Sequence, residues 1–300
     1  MRAAVRRAAC HDPPRRSAGG IAAALPPEHL HLGHRLAGFT DKGDGIEAWF
    51  ENGALVEADI LVGAGGIHST VRAHLFGAEE PQFAGCVAYR GLVPVERIAD
   101  MGLERCNQSW VGPGGHFVHY FVSRGRLLNF VGWTERDEWN REDWTDRATI
   151  GRALAAFENW HPQIRRIVAA ADECLIWALF DRDPLPVWSR GRVTLLGDAC
   201  HPMYPFMGQG AAQAIEDGAC LAACLAAEND PAEALLRYQR LRLPRVTRLQ
   251  QMSRANKTRF HLPDGPAQQA RDAEWARAAD RAPDALRWLF AHDPAALEPA

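Results

Sequence analysis

Residues 191–210 read GRVTLLGDACHPMYPFMGQG, and the fold turns on how this stretch divides. Gly191 precedes a four-residue, largely apolar run, Val193 to Leu196, that is too short for a helix and is interrupted only by Thr194. Such a run fits a strand buried on both faces of an α/β layer. Gly197 and Asp198 then fall at its carboxyl end, the edge where open α/β sheets bind ligands, so an acid there is placed to accept hydrogen bonds from a polyol or ribose hydroxyl. Pro202 and Pro205 stiffen the link that follows. Gly208 and Gly210 leave backbone amides open at the start of a helix expected from Ala211, and a helix N-terminus favours an anion. Taken singly, Asp198 reads as a turn cap and the glycines as packing residues. The combined string, Gly-Asp-Ala-x-His-Pro-x-x-Pro-x-x-Gly-x-Gly followed by Glu216 and Asp217, is far more specific.

Upstream, residues 59–72 read DILVGAGGIHSTVR. Ala58 to Val62 is expected to be a buried strand, and the residues after Gly66 a short helix closed by Gly77. A dinucleotide fingerprint needs a third glycine where His68 stands and a ribose-binding acid after a βαβ unit, and neither is present. No Lys-Ser or Lys-Thr follows Gly63 to make a P-loop. Between Leu32 and Ala58 the turn signals at Gly43 to Gly45 and Asn52–Gly53 predict a β-meander. Strand-like runs at 85–95, 115–123 and 126–133 predict a second sheet, followed by one helix over 149–171 and a connection rich in Trp, Asp and Pro. From Ala211 to about Lys257 the composition is helical, with interruptions expected near Pro231 and Pro244.

The remaining composition narrows the classes of function. A formal net charge of -3 over 300 residues, with both signs dispersed, gives no reason to expect nucleic acid or a membrane surface as partner. Seven cysteines at irregular spacing with no CxxC pair suggest neither a disulfide framework nor a zinc ribbon, and point to a reducing compartment. His29, His31 and His34 form a close trio, but solvated surface histidines are the plainer reading, and no metal site is expected. With no apolar run near the ~20 residues of a membrane span, a cytoplasmic, soluble protein is expected. Residues 1–20, MRAAVRRAACHDPPRRSAGG, have no sustained periodicity and read as a disordered or aberrant arm rather than a transit peptide.

The string GDACHPMYPFMGQGAAQAIEDGACLA resembles the second FAD-binding motif of the single-component flavin-dependent aromatic hydroxylases, of the salicylate and 3-hydroxybenzoate hydroxylase type. The stretch 59–72 is similar to that family's middle motif, Gly-Ala-Asp-Gly-x-x-Ser-x-x-Arg, with Gly65 in place of the acid. The resemblance runs from about Ile21 to Pro294 and includes SRANKTRFHLPDGPAQQARD near the C-terminus. It implies an FAD cofactor, NAD(P)H as co-substrate, and the monooxygenation of a small aromatic acid or phenol by O2. It implies that Asp198 holds a ribityl hydroxyl, that amides around Gly208, Gly210 and Ala211 face the flavin pyrimidine, and that Pro205 lines the flavin beside the substrate. Gly63, Gly66, Gly197 and Arg72 fall in the cofactor motifs. Arg90, His119 and Tyr120 fall on strands that border the substrate; an imidazole has a suitable pKa for a base, which makes His119 the catalytic candidate, although a packing role is the plainer reading of that residue.

The expected architecture is therefore a mixed α/β fold: an FAD-binding α/β domain without its first βαβ unit, carrying an inserted substrate-binding sheet and C-terminal helices. The expected division is an arm over 1–20, FAD-binding segments over 21–80 and 186–228, a substrate sheet with helix over 81–185, and a helical segment over 229–300. Because the family meets the FAD diphosphate with a Gly-x-Gly-x-x-Gly helix start that these residues lack, FAD binding is expected to be weak or absent. The alternative expectation is a noncatalytic remnant of such an enzyme.

Overall fold

In the computed structural model, which describes residues 4–7, 20, 22–137, 139, 147–278 and 286–297, the strands are β1 (Ala4–Arg7), β2 (Leu36–Asp41), β3 (Ile46–Phe50), β4 (Leu55–Ala58), β5 (Leu61–Gly63), β6 (Gln82–Pro94), β7 (Asn107–Gly112), β8 (Gly115–Val122), β9 (Leu127–Glu135), β10 (Arg147–Ala148), β11 (Cys174–Asp181), β12 (Ser189–Arg190) and β13 (Val193–Leu195). The α-helices are α1 (Thr70–Phe76), α2 (Ile150–Ala156), α3 (Pro162–Ala169), α4 (Gly210–Ala227), α5 (Pro231–Phe260), α6 (Pro266–Ala278) and α7 (Arg287–Phe290). They gather into two units. A sheet unit comprises Met1–Leu30, Phe83–Phe180 and Thr258–Ala276, and a motif unit comprises His31–Gln82, Asp181–Lys257 and Arg277–Ala300. The expected C-terminal segment 229–300 is thus shared between the two.

In the motif unit the apolar run after Gly191 is β13, with all three residues buried. It pairs in parallel with β5, setting Val193 opposite Leu61 and Leu195 opposite Gly63. Gly63 sits where a side chain cannot: a Cβ there would lie 2.6 Å from Val71 Cβ and 2.8 Å from Leu195 Cδ2, so α1 closes directly onto the strand. The Gly43 and Asn52–Gly53 turns make the antiparallel meander β2-β3-β4. The strand expected over Ala58 to Val62 is divided, however. Ala58 ends the exposed meander strand β4, and only Leu61–Gly63 joins β13. Helix α1 starts on Ser69, whose side chain accepts from Arg72 N, and stops at Gly77 with φ +89°. Phe39, Ile46, Val71, Trp188, Leu195, Leu235, Tyr238 and Val246 form the core of this unit.

Helix α5 runs unbroken through Pro244, where the sequence predicts an interruption. Pro244 forfeits one backbone hydrogen bond, but Leu235, Tyr238, Arg242, Arg245, Val246 and Leu249 are buried on both sides of it. A continuous buried face, apolar at Leu235, Tyr238, Val246 and Leu249 and ion-paired at Arg242 and Arg245, therefore holds the two halves in line. The break before Pro231 is real: α4 ends at Ala227.

In the sheet unit seven strands run in the order β1-β7-β8-β9-β6-β11-β10. One face packs on α2 and α3 through Val87, Tyr89, Phe117, Leu128 and Phe130 against Ala153, Phe157, Ile164 and Ile167. Three expectations change here. The single helix over 149–171 is two, because Pro162 starts a new helix whose N-cap, His161, accepts from Gln163 N through its side chain. The expected connection contains strand β11, whose residues Cys174 and Ile176–Leu179 are buried. The expected arm contributes β1, with Ala4–Arg7 pairing antiparallel with Asn107–Trp110. An edge strand offers unpaired backbone groups to any extended segment, so this pairing needs no hydrophobic pattern. The rest of 1–19 lies outside the described residues.

Candidate functional site

The motif unit builds its site around the turn that follows β13. Leu196 N donates to Gly63 O at 3.1 Å, so the two motifs read from the sequence meet at the strand ends. Arg72, only 4 % exposed, spans them: its guanidinium donates to Ala199 O at 3.2 Å and to Glu79 Oε2 at 2.6 Å. Gly65 stands where the resembled motif carries an acid, and Glu79 supplies the carboxylate that orients Arg72. Arg182, also donating to Glu79 O at 2.6 Å, braces the same acid.

Beneath the turn lies a buried strut. Asp217 Oδ2 accepts from Gly197 N at 3.0 Å and from His201 Nε2 at 2.6 Å, while Oδ1 accepts from Arg242 Nε at 2.8 Å. Burial alone would raise the Asp217 pKa, but the His201 hydrogen bond and the charges of His201 and Arg242 outweigh it and hold the carboxyl below its usual range. Glu216 extends the network, accepting from Arg242 Nη1 at 2.6 Å and Arg245 Nε at 3.0 Å. Tyr238 donates to Leu195 O at 3.2 Å and Gln250 to Pro202 O at 2.9 Å, tying α5 to both ends of the turn. The sequence places Glu216 and Asp217 in the motif without giving them this work. The available signal was their place about two turns into the helix that follows Gly208 and Gly210.

Cys200, His201 and Asp217 offer ligand atoms within 4.8 Å of one another. Their chemistry is that of the strut rather than of a metal centre. Both Asp217 oxygens are engaged, and burial and the neighbouring Asp217 push the Cys200 thiol well up, away from the thiolate a metal needs. His29, His31 and His34 are exposed, with His34 Nδ1 bonded to Leu32 O at 3.0 Å. None of the six cysteines among the described residues forms a disulfide.

Held by this strut, Asp198 projects outward. It is exposed, and no described residue donates a hydrogen bond to its carboxylate. Partial burial raises its pKa, opposed by the charge of His201. Gly210 lies beside it, with room for a Cβ 3.7 Å from Asp198 Oδ1. Gly208 takes φ +63°, a left-handed turn that lets the 205–207 helical turn feed α4. Gln209 provides no side-chain cap to α4, so the first amides of an 18-residue helix stay open for an outside acceptor. Pro205, Gly208 and Ala211 are exposed around this helix start. An outward acid beside an uncapped helix start fits a ligand with hydroxyls on one segment and, next to them, a heterocycle that takes up negative charge when reduced, as FAD has.

In the sheet unit the two-residue strand period sorts the candidates. Phe117 and His119 point with Tyr89 and Phe130 toward the helices. His119 is 1 % exposed, its Nε2 accepts from Trp110 Nε1 at 3.4 Å, and burial lowers its pKa to about 4. It is a neutral residue of the helix-packed face, in keeping with a packing role. The opposite face carries Arg90, His116, Tyr120 and Asn129. There His116 Nδ1 lies 2.8 Å from His261 Nε2, and His261 Nδ1 lies 3.0 Å from Glu135 Oε1. The sequence signal for His116 was its offset of three from His119, which reverses the face.

No helix among the described residues is long and apolar enough to cross a membrane. Residues 22–253 match the family model described as an FAD binding domain. The chain is 40 % identical over 272 residues to a 3-amino-4-hydroxybenzoate 2-monooxygenase of Streptomyces platensis, covering 90 % of this chain and 68 % of that protein. It is 38 % identical over 240 residues to a 6-hydroxynicotinate 3-monooxygenase of Pseudomonas fluorescens, covering 78 % of this chain and 62 % of that one. Among solved structures, a salicylate hydroxylase substrate complex superimposes with a TM-score of 0.80 at 26 % identity, covering 95 % of this chain and 75 % of the other. Klebsiella pneumoniae HpxO complexed with FAD and uric acid gives the same TM-score of 0.80 at 26 % identity, covering 90 % and 70 %. With the acid, the open helix start and these likenesses in agreement, the chain belongs to the family of FAD-dependent aromatic monooxygenases that share this FAD binding domain.

Proposed function

We propose that this protein hydroxylates a small aromatic acid or phenol at the expense of NAD(P)H and O2, with FAD held at the strand-turn-helix of residues 193–211. The observation that carries the reading is the outward Asp198 carboxylate, without a described donor, beside the uncapped start of α4. Asp198 would accept from a ribityl hydroxyl, and the amides of Gly208, Gly210 and Ala211 would meet the pyrimidine end, where the helix dipole favours negative charge. Pro205 lines the same rim. Gly63, Gly66, Gly197 and Arg72 act one layer below, by letting β5, β13 and α1 close and by fixing the turn. Bound FAD, once reduced by NAD(P)H, supplies the activation of O2. The substrates in the names of related proteins, 3-amino-4-hydroxybenzoate, 6-hydroxynicotinate and 3-hydroxybenzoate, are aromatic acids that carry a further polar substituent. This favours the same class here.

The test supplies the chain with FAD, offers these three acids with NADH or NADPH, and follows NAD(P)H oxidation and product mass. A product heavier by one oxygen from at least one acid is expected. Asp198→Ala should keep the wild-type thermal midpoint in the absence of FAD and weaken FAD binding by roughly 10- to 100-fold, the worth of one charge-assisted hydrogen bond. Failure to take up FAD at millimolar concentration, or turnover with none of the acids by the FAD-loaded protein, overturns the reading.

A further inference from the structure

Asn129 is 2 % exposed, and its Oδ1 accepts from Arg90 Nε at 3.3 Å. That bond fixes which way the amide points: the oxygen goes to the cation and the Nδ2 donors go elsewhere. Yet Nδ2 is fully buried and has no hydrogen-bond partner. Natural proteins rarely leave such a donor unmet, because its lost hydration is not returned. Arg90, half-buried beside it, makes no ion pair with any described residue. Both side chains lie on the face of the sheet turned away from α2 and α3, with Tyr120 opposite Asn129 across β8 and β9.

A half-buried cation without its anion and a buried amide without its acceptor, joined by a hydrogen bond, describe one missing group. It is anionic, and it has more than one acceptor oxygen. A water molecule could satisfy Asn129 Nδ2 but would leave the guanidinium uncompensated. A carboxylate does both, since its two oxygens offer lone pairs to the guanidinium fork and to an amide N–H at once. We propose that Arg90 and Asn129 form a carboxylate-binding pair that anchors the acid group of an aromatic substrate on this sheet face. The inference rests on the proposed aromatic hydroxylase activity and assigns the part of the substrate that these residues recognise. Tyr120 lies alongside as the wall next to the ring.

The test compares 3-hydroxybenzoate with 3-hydroxybenzamide, its neutral counterpart of nearly the same shape. Binding is followed by calorimetry on the protein with and without FAD. The acid should bind at least roughly tenfold more tightly than the amide, as one charge-assisted hydrogen bond requires. Arg90→Met should abolish the preference, and Arg90→Lys should restore part of it. Asn129→Leu should weaken acid binding by roughly tenfold while the thermal midpoint of the ligand-free protein holds or rises, because the substitution removes an unmet donor. A purely structural pair gives the opposite pattern: a lowered midpoint for Asn129→Leu and an unchanged preference. That result, or equal binding of acid and amide, overturns the carboxylate pair while hydroxylation stands wherever aromatic acids are still oxidised. If neither compound binds and no aromatic is oxidised, the proposed activity fails and the pair with it.

Discussion

Asp217 holds more of the turn after β13 than any residue at its rim. It has no exposed surface, and each of its oxygens serves a different part: Oδ2 fixes the backbone of Gly197 and the ring of His201, while Oδ1 anchors Arg242. Asp217→Asn keeps the shape but replaces one acceptor by a donor and leaves Arg242 short of buried charge. A loss of about 3 kcal/mol is expected, within the range for breaking a buried pair from one side, and urea unfolding at neutral pH measures it. Because the folded pKa of Asp217 is held down, its contribution is present above the unfolded carboxylate pKa and is lost as pH falls through the folded value. His119 adds to the acid sensitivity by a separate route. Its pKa falls by burial to about 4, so the unfolded chain takes up a proton near pH 6.5 that the folded chain refuses. Stability should therefore decline as pH drops from about 6.5 towards 4, by up to roughly 3 kcal/mol from this residue. His119→Phe should flatten that slope. Equal slopes for both proteins between pH 7 and pH 4.5 would show that His119 is not buried neutral.

At the scale of elements, the closest fit is between β5, β13 and α1. Gly63→Ala places a Cβ within 2.6 to 2.8 Å of Val71 and Leu195, and overpacking of this kind costs roughly 1–3 kcal/mol. The same shift would push α1 and Arg72 off Ala199 O, so Gly63→Ala should lower both the thermal midpoint and FAD affinity. A variant as stable as wild type with unchanged FAD binding would show that the strand and helix are not held together there. How far such elements can be read from sequence depends on where their signal lies. β13 was legible because Gly191 and Gly197 bracket a run too short to be anything else. The segment that forms β11 was not, because eight largely apolar residues buried on both faces have no period to separate strand from helix or connection. β1 carries no pattern at all, since its place depends on the backbone of β7. The strand-turn-helix of the candidate site was legible because a fixed spacing encodes it, from Asp198 to Ala211. In the sheet, the opposite faces taken by His119 and His116 were not legible, because that required knowing which strand face meets the helices.

Across the whole molecule, two cores are each assembled from separate stretches of chain, and the polar residues proposed to anchor each ligand lie in one unit. Asp198, Gly208 and the start of α4 belong to the motif unit, and Arg90 and Asn129 to the sheet unit. A ligand that binds only the folded form stabilises by about 2.7 kcal/mol at a hundred times its Kd, and local openings sample units below the global transition. Saturating FAD should therefore slow hydrogen exchange most in peptides from 61–76 and 193–227. An aromatic acid should slow it most in peptides from 86–94 and 115–135. Exchange followed by mass spectrometry separates these segments, and the ligand-free chain gives the baseline. The expected outcome is two distinct protection maps, each centred on its own strand set. If either ligand protected both sets to the same degree, the two cores would open as one cooperative block, and the assignment of each ligand to a separate unit would lose its thermodynamic support.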